Sequence, residues 1–269
     1  MKTRRSKSGP SFAPADPLRY APSPARPLRA KARQLEQQAS IHPHRHDWGQ
    51  LLVSISGAVR VSAEQSTFII PSSRAVWVPA GVIHQTSAIE QAQVRTLYVL
   101  SELLTGEAWH RCRVLEVSPL LRELVMQLAT DPAANPEAPR EAMIIDLIVD
   151  ELRRARPLRL GVELPDDPRL RKLCEAMLDE PGRHASLEAW AAEVGASGRT
   201  VSRLFREHLG TSFAQWRSQV LLAHALTMAA RQRPMSHIAA ELGYASASAF
   251  TAMVTRTVGM PPSRFFAEA

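Results

Sequence analysis

Two groups of residues in this chain carry side chains suited to chemistry. In SGRTVSRLFREHLG, residues 197–210, three arginines fall at positions 199, 203 and 206. On a helix that turns ~100° per residue, Arg199, Arg203 and Arg206 lie about 140–200° from Val201, with Ser202 at the edge and Thr200 beside them. Val201, Leu204, Phe205 and His208 then share the inward face. An outward guanidinium can donate two parallel hydrogen bonds to guanine O6 and N7, or hold a phosphate. The second group is HPHRHDWGQ, residues 42–50, with PAGVIH, residues 79–84. Alternate residues of a strand share a face, so His44 and His46 point the same way. Gln50 follows four residues later, and His84 comes from a different strand. Three imidazoles and an amide oxygen can coordinate a divalent metal, more weakly than a set containing a carboxylate. The same residues can instead line a metal-free pocket for a small molecule, or satisfy hydrogen bonds inside a barrel. Both readings stay open at this point. Trp48 and Trp77 flank the motif and suit either a pocket wall or the core.

The arginines need a helix pair to present them, and the sequence spells one. Ser186 suits an N-cap, and Leu187, Trp190, Ala191 and Val194 follow at helical spacing. Gly195 permits a tight turn, and Ser197 caps the next helix. A solvated basic face on an ordinary helix pair would look the same, but the unit recurs. In residues 235–266, Ile238, Ala239 and Leu242 pack a first helix, Gly243 and Tyr244 make the turn, and Ser246 caps a second. Phe250, Met253 and Val254 face inward there, while Ala247, Ser248, Thr251, Ala252, Thr255 and Arg256 face out. Between the units, residues 211–231 read as one long helix, and ~27 Å of helix would hold two reading heads about one DNA turn apart.

The rest of the chain supplies the setting. Its 269 residues, 45% apolar, suggest more than one folded domain. Residues 1–35 are rich in proline and arginine and read as a disordered basic tail. Residues 36–105 hold short β-like runs punctuated by Gly, Pro and Ser, as in a compact barrel. Residues 106–164 read as helical, with stripes at Val114, Val117, Leu121, Leu124, Val125 and Leu128, and at Met143, Ile144, Leu147, Ile148 and Leu152. Residues 131–139 connect those two helices, and residues 156–168 lead into an all-α domain over 165–269. The net charge of +7 divides into +8 before residue 36, −3 over 36–165 and +2 beyond. The excess therefore lies in the tail, and bulk charge says little about the arginine-bearing helix. No apolar run approaches the ~20 residues of a membrane helix, and the basic start lacks the apolar stretch of an export signal. Cys112 and Cys174 read as ordinary cytosolic thiols, which fits a cytoplasmic protein.

The last hundred residues resemble the DNA-binding domain of the AraC/XylS family. The resemblance is carried by LEAWAAEVGASGRTVSRLFREHLGTS, then IAAELGYASASAF, then GMPPSRFF. It implies two helix-turn-helix units that read successive major grooves of double-stranded DNA. Three positions depart from the family pattern. Leu221 stands where an arginine is usual, Val254 replaces a phenylalanine, and the second outward face lacks a central arginine. Residues 41–100 resemble the two cupin motifs, with Gln50 where a glutamate is familiar. The fold expected is therefore multidomain α+β: a cupin-like N-terminal β-barrel, a helical linker, and an all-α C-terminal domain with two helix-turn-helix units. The partners implied are a small-molecule effector, RNA polymerase and a second copy of the chain, with a divalent metal in the barrel as the possible cofactor. Within the family, the nitroimidazole-resistance group implies repression of a neighbouring transporter gene. A metal-dependent cupin oxygenase or isomerase is the opposing class, and it leaves the C-terminal hundred residues without a purpose.

Overall fold

The computed structural model describes residues 9–14, 16–72, 74–128, 130–131, 138–158 and 161–266. The chain forms two units, residues 1–64 with 70–159, and residues 65–69 with 160–269. The elements begin with β1 (Ser11–Phe12), α1 (Pro17–Tyr20), β2 (Leu28–Leu35), β3 (Ser40–His44) and β4 (Gly49–Ser56). Next come β5 (Val59–Ala63), β6 (Ser66–Ile70), β7 (Arg74–Val78), β8 (His84–Ala88), β9 (Ala92–Val99) and β10 (Arg113–Glu116). Helices α2 (Pro119–Gln127) and α3 (Ala138–Arg154) follow, then β11 (Pro157–Leu158) and β12 (Gly161–Glu163). The chain ends with α4 (Pro168–Asp179), α5 (Leu187–Glu193), α6 (Gly198–Leu209), α7 (Phe213–Ala230), α8 (Met235–Glu241), α9 (Ala247–Val258) and α10 (Pro262–Phe265).

The first unit is built on a sheet of order β11-β10-β7-β4-β9-β2. A second sheet contains β1, β3, β8 and β5, with β1 parallel to β3 and the other pairs antiparallel. All of β4 except Ser56 is buried, because both of its faces are covered. Leu51, Val53 and Ile55 join a core completed by Leu121 and Val125 of α2 and by Ile148 and Leu152 of α3. Gln50 and Leu52 face a cavity on the opposite side. Helices α2 and α3 therefore cover their own sheet with the stripes read from the sequence, except that Met143 and Leu147 stand 61% and 47% exposed. Those two lie on the flank of α3 away from Ile148, which explains why they escape the core.

Two expectations need correction. Part of the segment expected as a disordered tail is β2, paired residue for residue with β9 from Leu28↔Val99 to Leu35↔Ala92. The strand alternates Leu28 and Ala30, which are buried, with Arg29, Lys31 and Arg33, which face the other way. Residues 1–8 lie outside the described set. Val114 lies on β10, not on a helix, and pairs with Val76 of β7. The helix begins only after Ser118, whose hydroxyl accepts from Leu121 N, with Pro119 in the first turn where its missing N–H costs nothing. Of the expected helix connection, residues 132–137 lie outside the described set. The expected linker over 156–168 contains β11 and β12, with residues 159–160 outside that set.

The second unit is helical, with β6 and β12 paired antiparallel. Its centre is α7, where Val220, Leu221, Leu222, Ala223, Ala225, Leu226 and Met228 are all buried. A helix apolar all round must be enclosed, and α4, α6, α8 and α9 all pack against it. Ser212 and Gln215 form a reciprocal capping box at its start, and the Trp216 indole N–H donates to Glu163 O at 2.7 Å. Leu221 is wholly buried. Leu221→Arg is expected to lower the unfolding free energy by about 3 kcal/mol or more, since the charge would be desolvated in an apolar helix core. Urea denaturation followed by circular dichroism measures it, and an unchanged midpoint would mean the guanidinium reaches water.

Candidate DNA-binding surface and ligand pocket

Each pair of helices in the second unit is set by the same local devices. Ser197 Oγ accepts from Thr200 N at 3.1 Å and Ser246 Oγ from Ala249 N at 3.1 Å, so both outward helices start on a serine cap. The turns before them pass through Gly195 (φ 65°) and Gly243 (φ 79°), a left-handed backbone that side chains with Cβ resist. Val201 and Phe205 anchor α6, and Phe250, Met253 and Val254 anchor α9. Phe205 packs edge-on against Phe213 and Trp216, with ring centroids 5.5 and 5.6 Å away. Val254 fills its site with no exposed area, so the smaller residue is accommodated.

The outward faces follow from these anchors. Arg199, Arg203 and Arg206 are exposed on α6, with Thr200 and Ser202 half-buried between them. These five residues and Glu207 line one shallow depression. Arg203 Nη1 bonds both carboxylate oxygens of Glu207 at 2.7 Å, a partner that the sequence reading missed although the i,i+4 spacing offered it. On α9, Ala247, Ser248, Thr251, Thr255 and Arg256 are all exposed. His208, expected on the inward face, is exposed, while Leu209 beside it is half-buried. At the end of α6 the ionisable ring stays in water and the apolar neighbour takes the sheltered place.

The first unit brings its four predicted residues together. His44 and His84 are cross-strand partners on β3 and β8, with ring centroids 4.3 Å apart. His46 follows β3 and stacks on Trp48 at 5.3 Å. Each Nδ1 lies against a carbonyl: His44 on His42 O at 2.8 Å, His46 on Trp48 O at 2.7 Å, His84 on Val82 O at 2.9 Å. A carbonyl only accepts, so every Nδ1 carries the proton and every neutral ring offers its Nε2 lone pair. One ligand atom from each ring falls within 4.8 Å of the others. His84 Nε2 is buried and has no hydrogen-bond partner. His46 Nε2 and Gln50 Oε1 lie 3.1 Å apart, an arrangement that a proton, a turned amide or a shared cation would settle. Anchored Nδ1 groups that leave Nε2 for a ligand are what metal-ligating histidines present, and with Gln50 Oε1 beside His46 Nε2 the residues fit a divalent ion on that ground. A bound ion would polarise an oxygen ligand. Trp77 proves to be core, its indole N–H donating to Trp109 O at 2.8 Å, while Trp48 lines a recess with Tyr20, His46 and Tyr98.

Burial, followed by the charges of His44 and His46, holds the His84 imidazole down at about 4, and burial also lowers that of His44. An unfolded histidine titrates near ~6.5, so between these values the unfolded chain binds more protons. Metal-stripped protein is therefore expected to lose about 3 kcal/mol of stability from His84 as pH falls from ~6.5 to about 4. Denaturant midpoints across that range for the native chain and His84→Gln measure it. Equal slopes in the two proteins would refute the assignment.

A serine-capped pair of helix-turn-helix units in one unit, and a double-sheet domain with a lined pocket in the other, define a DNA-binding transcription regulator that carries a ligand-binding domain. Residues 190–268 match a helix-turn-helix domain family, and residues 27–149 match the AraC-like ligand binding domain. The chain is 31% identical over 232 residues to the HTH-type transcriptional regulator NimR of Escherichia coli K12, covering 86% of this chain and 84% of that protein. It is 22% identical over 230 residues to the probable transcriptional regulator LumQ of Photobacterium leiognathi, covering 82% and 90%. Among solved structures, ToxT of Vibrio cholerae aligns over 90% of this chain and 98% of its own, at 10% identity and a TM-score of 0.37. The chain belongs to the AraC family of transcription regulators. Among the described residues, no helix is long and apolar enough to cross a membrane.

Proposed function

We propose that α6 supplies most of the base discrimination and that α9 mainly fixes register on the duplex. The observation carrying this reading is the contrast between the two outward faces. Three exposed arginines stand on α6, against small residues and Arg256 on α9. Arg199 and Arg203 would read guanines, while Thr200, Ser202 and Arg206 would add hydroxyl and phosphate contacts. On α9, Ser248, Thr251, Thr255 and Arg256 would bond the backbone, and Ala247 would meet a thymine methyl. The test maps the genomic fragments retained in cells by the tagged native chain, Arg203→Ala and Ser248→Ala. The native chain is expected to give a few sharp peaks, one near its own gene, sharing an asymmetric motif about two helical turns long. Arg203→Ala should blur one motif position at a cost of about 1–3 kcal/mol, and Ser248→Ala should weaken all sites evenly. Equal blurring by both variants would overturn the division of labour.

The pocket of the first unit is read as an effector site that biases occupancy of DNA by binding one arrangement of the protein better than another. A regulatory role accounts for both units, whereas an oxygenase or isomerase built on the histidines would leave α4–α10 unused, so we read the chain as a non-enzyme. RNA polymerase is the partner through which an activating outcome would run. A second copy of the chain is assigned to the exposed apolar flank of α2 and α3, where Leu120, Met143 and Leu147 are 50%, 61% and 47% exposed. The paired double charge Met143→Asp with Leu147→Asp is expected to convert a dimer to a monomer in sedimentation velocity. A native chain that sediments as a monomer at all concentrations would end that part of the reading.

A further inference from the structure

The first unit leaves little room for a molecule on the β4 side of its histidines. The cavity lined by His44, Gln50, Leu52 and Tyr98 has space for about 20 Å³, the room of a single water. What this region does offer is a set of donors. His44 ends β3, His46 lies in the turn after it, Gln50 stands on β4 and His84 starts β8. Gly81 N donates to His46 O at 2.8 Å, so the loop that delivers His84 is tied to the turn that delivers His46. The ring centroids of His46 and His84 are 5.1 Å apart, and those of His44 and His46 are 6.0 Å apart. Each Nδ1 is occupied by a carbonyl, which leaves Nε2 as the lone-pair donor of every ring. His84 is 1% exposed and its Nε2 has no hydrogen-bond partner, a costly state for a buried polar atom. Gln50 Oε1 lies 3.1 Å from His46 Nε2. Two ligands of a tetrahedral ion with bonds of ~2.0–2.1 Å stand ~3.3 Å apart, close to that separation. Among the described residues, no other group of histidine, cysteine and acidic side chains converges in this way.

From this convergence we infer that the effector of the domain is itself a transition-metal dication of the zinc or nickel kind, held reversibly by His44, His46, His84 and Gln50. The inference rests on reading this domain as the effector-binding one. Imidazole nitrogen suits those ions, whereas magnesium and calcium prefer sites built from oxygen. All four donors are neutral, and Lys31 and Arg33 line the same cavity as His44 and Gln50. A bound ion therefore keeps its full charge near two cations, and its affinity falls short of a site with a carboxylate or thiolates. That suits an ion that comes and goes with its concentration better than one that is a fixed part of the fold. A recess of about 120 Å³, lined by His44 and His46 with Tyr20, Trp48 and Tyr98, and also by Asp16 and Arg45, gives the ion an entry path. The strands that carry the donors show what the ion would change. β3 and β8 belong to one sheet and β4 to the other, so an ion on all four donors clamps the two sheets at this end. It binds the arrangement in which the donors meet better than one in which they part, which is the requirement for shifting an equilibrium.

Calorimetric titration of the metal-free full chain with Zn²⁺, Ni²⁺ and Co²⁺, with Mg²⁺ and Ca²⁺ as controls, tests the inference. The visible bands of Co²⁺ report nitrogen ligation independently. At least one of the three transition metals is expected to bind saturably, and neither Mg²⁺ nor Ca²⁺ should displace it. His84→Ala should weaken that binding by about tenfold or more. Gln50→Glu, which supplies a negative ligand, should tighten it by about tenfold or more. A misfolded chain would not bind more tightly, so the second substitution separates loss of the site from loss of the fold. With a DNA fragment taken from the genomic peaks, the metal is expected to change the affinity of the native chain by about fivefold or more. Gln50→Glu should show the same change at lower metal concentration. Absence of binding by all three metals, equal binding of Mg²⁺ or Ca²⁺, or binding indifferent to both substitutions would overturn the inference. So would tight binding at the histidines that leaves the DNA affinity unchanged. Any of these results alongside intact, motif-specific DNA occupancy would leave the regulator reading standing. Absence of that occupancy in the native chain, with and without added metal, would instead count against the regulator reading itself.

Discussion

The second unit depends on one constraint: from Val220 onward α7 is buried almost all round and must be enclosed. Its eighteen residues include Val220, Leu221, Leu222, Ala225 and Leu226, each essentially without exposure. An exposed helix of that composition would forfeit roughly 1.5–3 kcal/mol for each large side chain left in water. Enclosure recruits α4, α6, α8 and α9. Once Phe205 and Phe250 are buried on their own helices, the faces turned away from the core are settled by the 100° step alone. The outward placement of Arg199, Arg203 and Arg206 is therefore a consequence of burying their neighbours. Specificity and stability come from opposite sides of the same helix.

Leu221 fits this logic. The family pattern has an arginine there, and an arginine would need a carboxylate or a phosphate close by to offset its desolvation. With leucine, the position adds area to the core and requires no partner. The first unit follows a similar rule with a different answer. Its main sheet is buried on both faces, so one face packs on α2 and α3 while the other lines a cavity where polar and charged side chains must be reconciled. The histidines manage this locally, each placing Nδ1–H on a nearby carbonyl. Lys31 and Arg33 lie beside the rings of Tyr20 and Phe12.

Much of this was legible in the sequence, for reasons that differ by region. The helix-turn-helix units were readable because serine caps, turn glycines and apolar stripes all reinforce one another within short windows, and Ser186, Ser197 and Ser246 cap where expected. The convergence of His44, His46, Gln50 and His84 was readable from the cupin motifs, although His46 lies just past the end of β3 and strand alternation alone does not place it. The failures were places where two signals conflicted. Val114 sits at a spacing that suits a helix, yet its strand is selected by a neighbour, β7, that no local window contains. His208 sits in line with Val201 by angle, but periodicity does not say where a helix outruns its core.

The most instructive failure is LRAKARQL, residues 28–35. Proline density and basic charge upstream argued for a tail, and that argument swept in a stretch whose own pattern alternates apolar and charged residues with the period of a strand. Composition sums charges over a segment as though each sat in the same dielectric. Lys31 and Arg33 cannot be counted that way, because pairing with β9 fixes them on the interior face of a sheet. A charge counted in a tail suggests loose, salt-screened attraction to a polyanion. The same charge fixed on a cavity wall, with part of its hydration removed, is instead part of the domain's interior. The backbone hydrogen bonds of β2 decide between those two meanings, and a strand's hydrogen bonds depend on its partner. For this chain the partner is Ala92–Val99, which no local window around β2 contains.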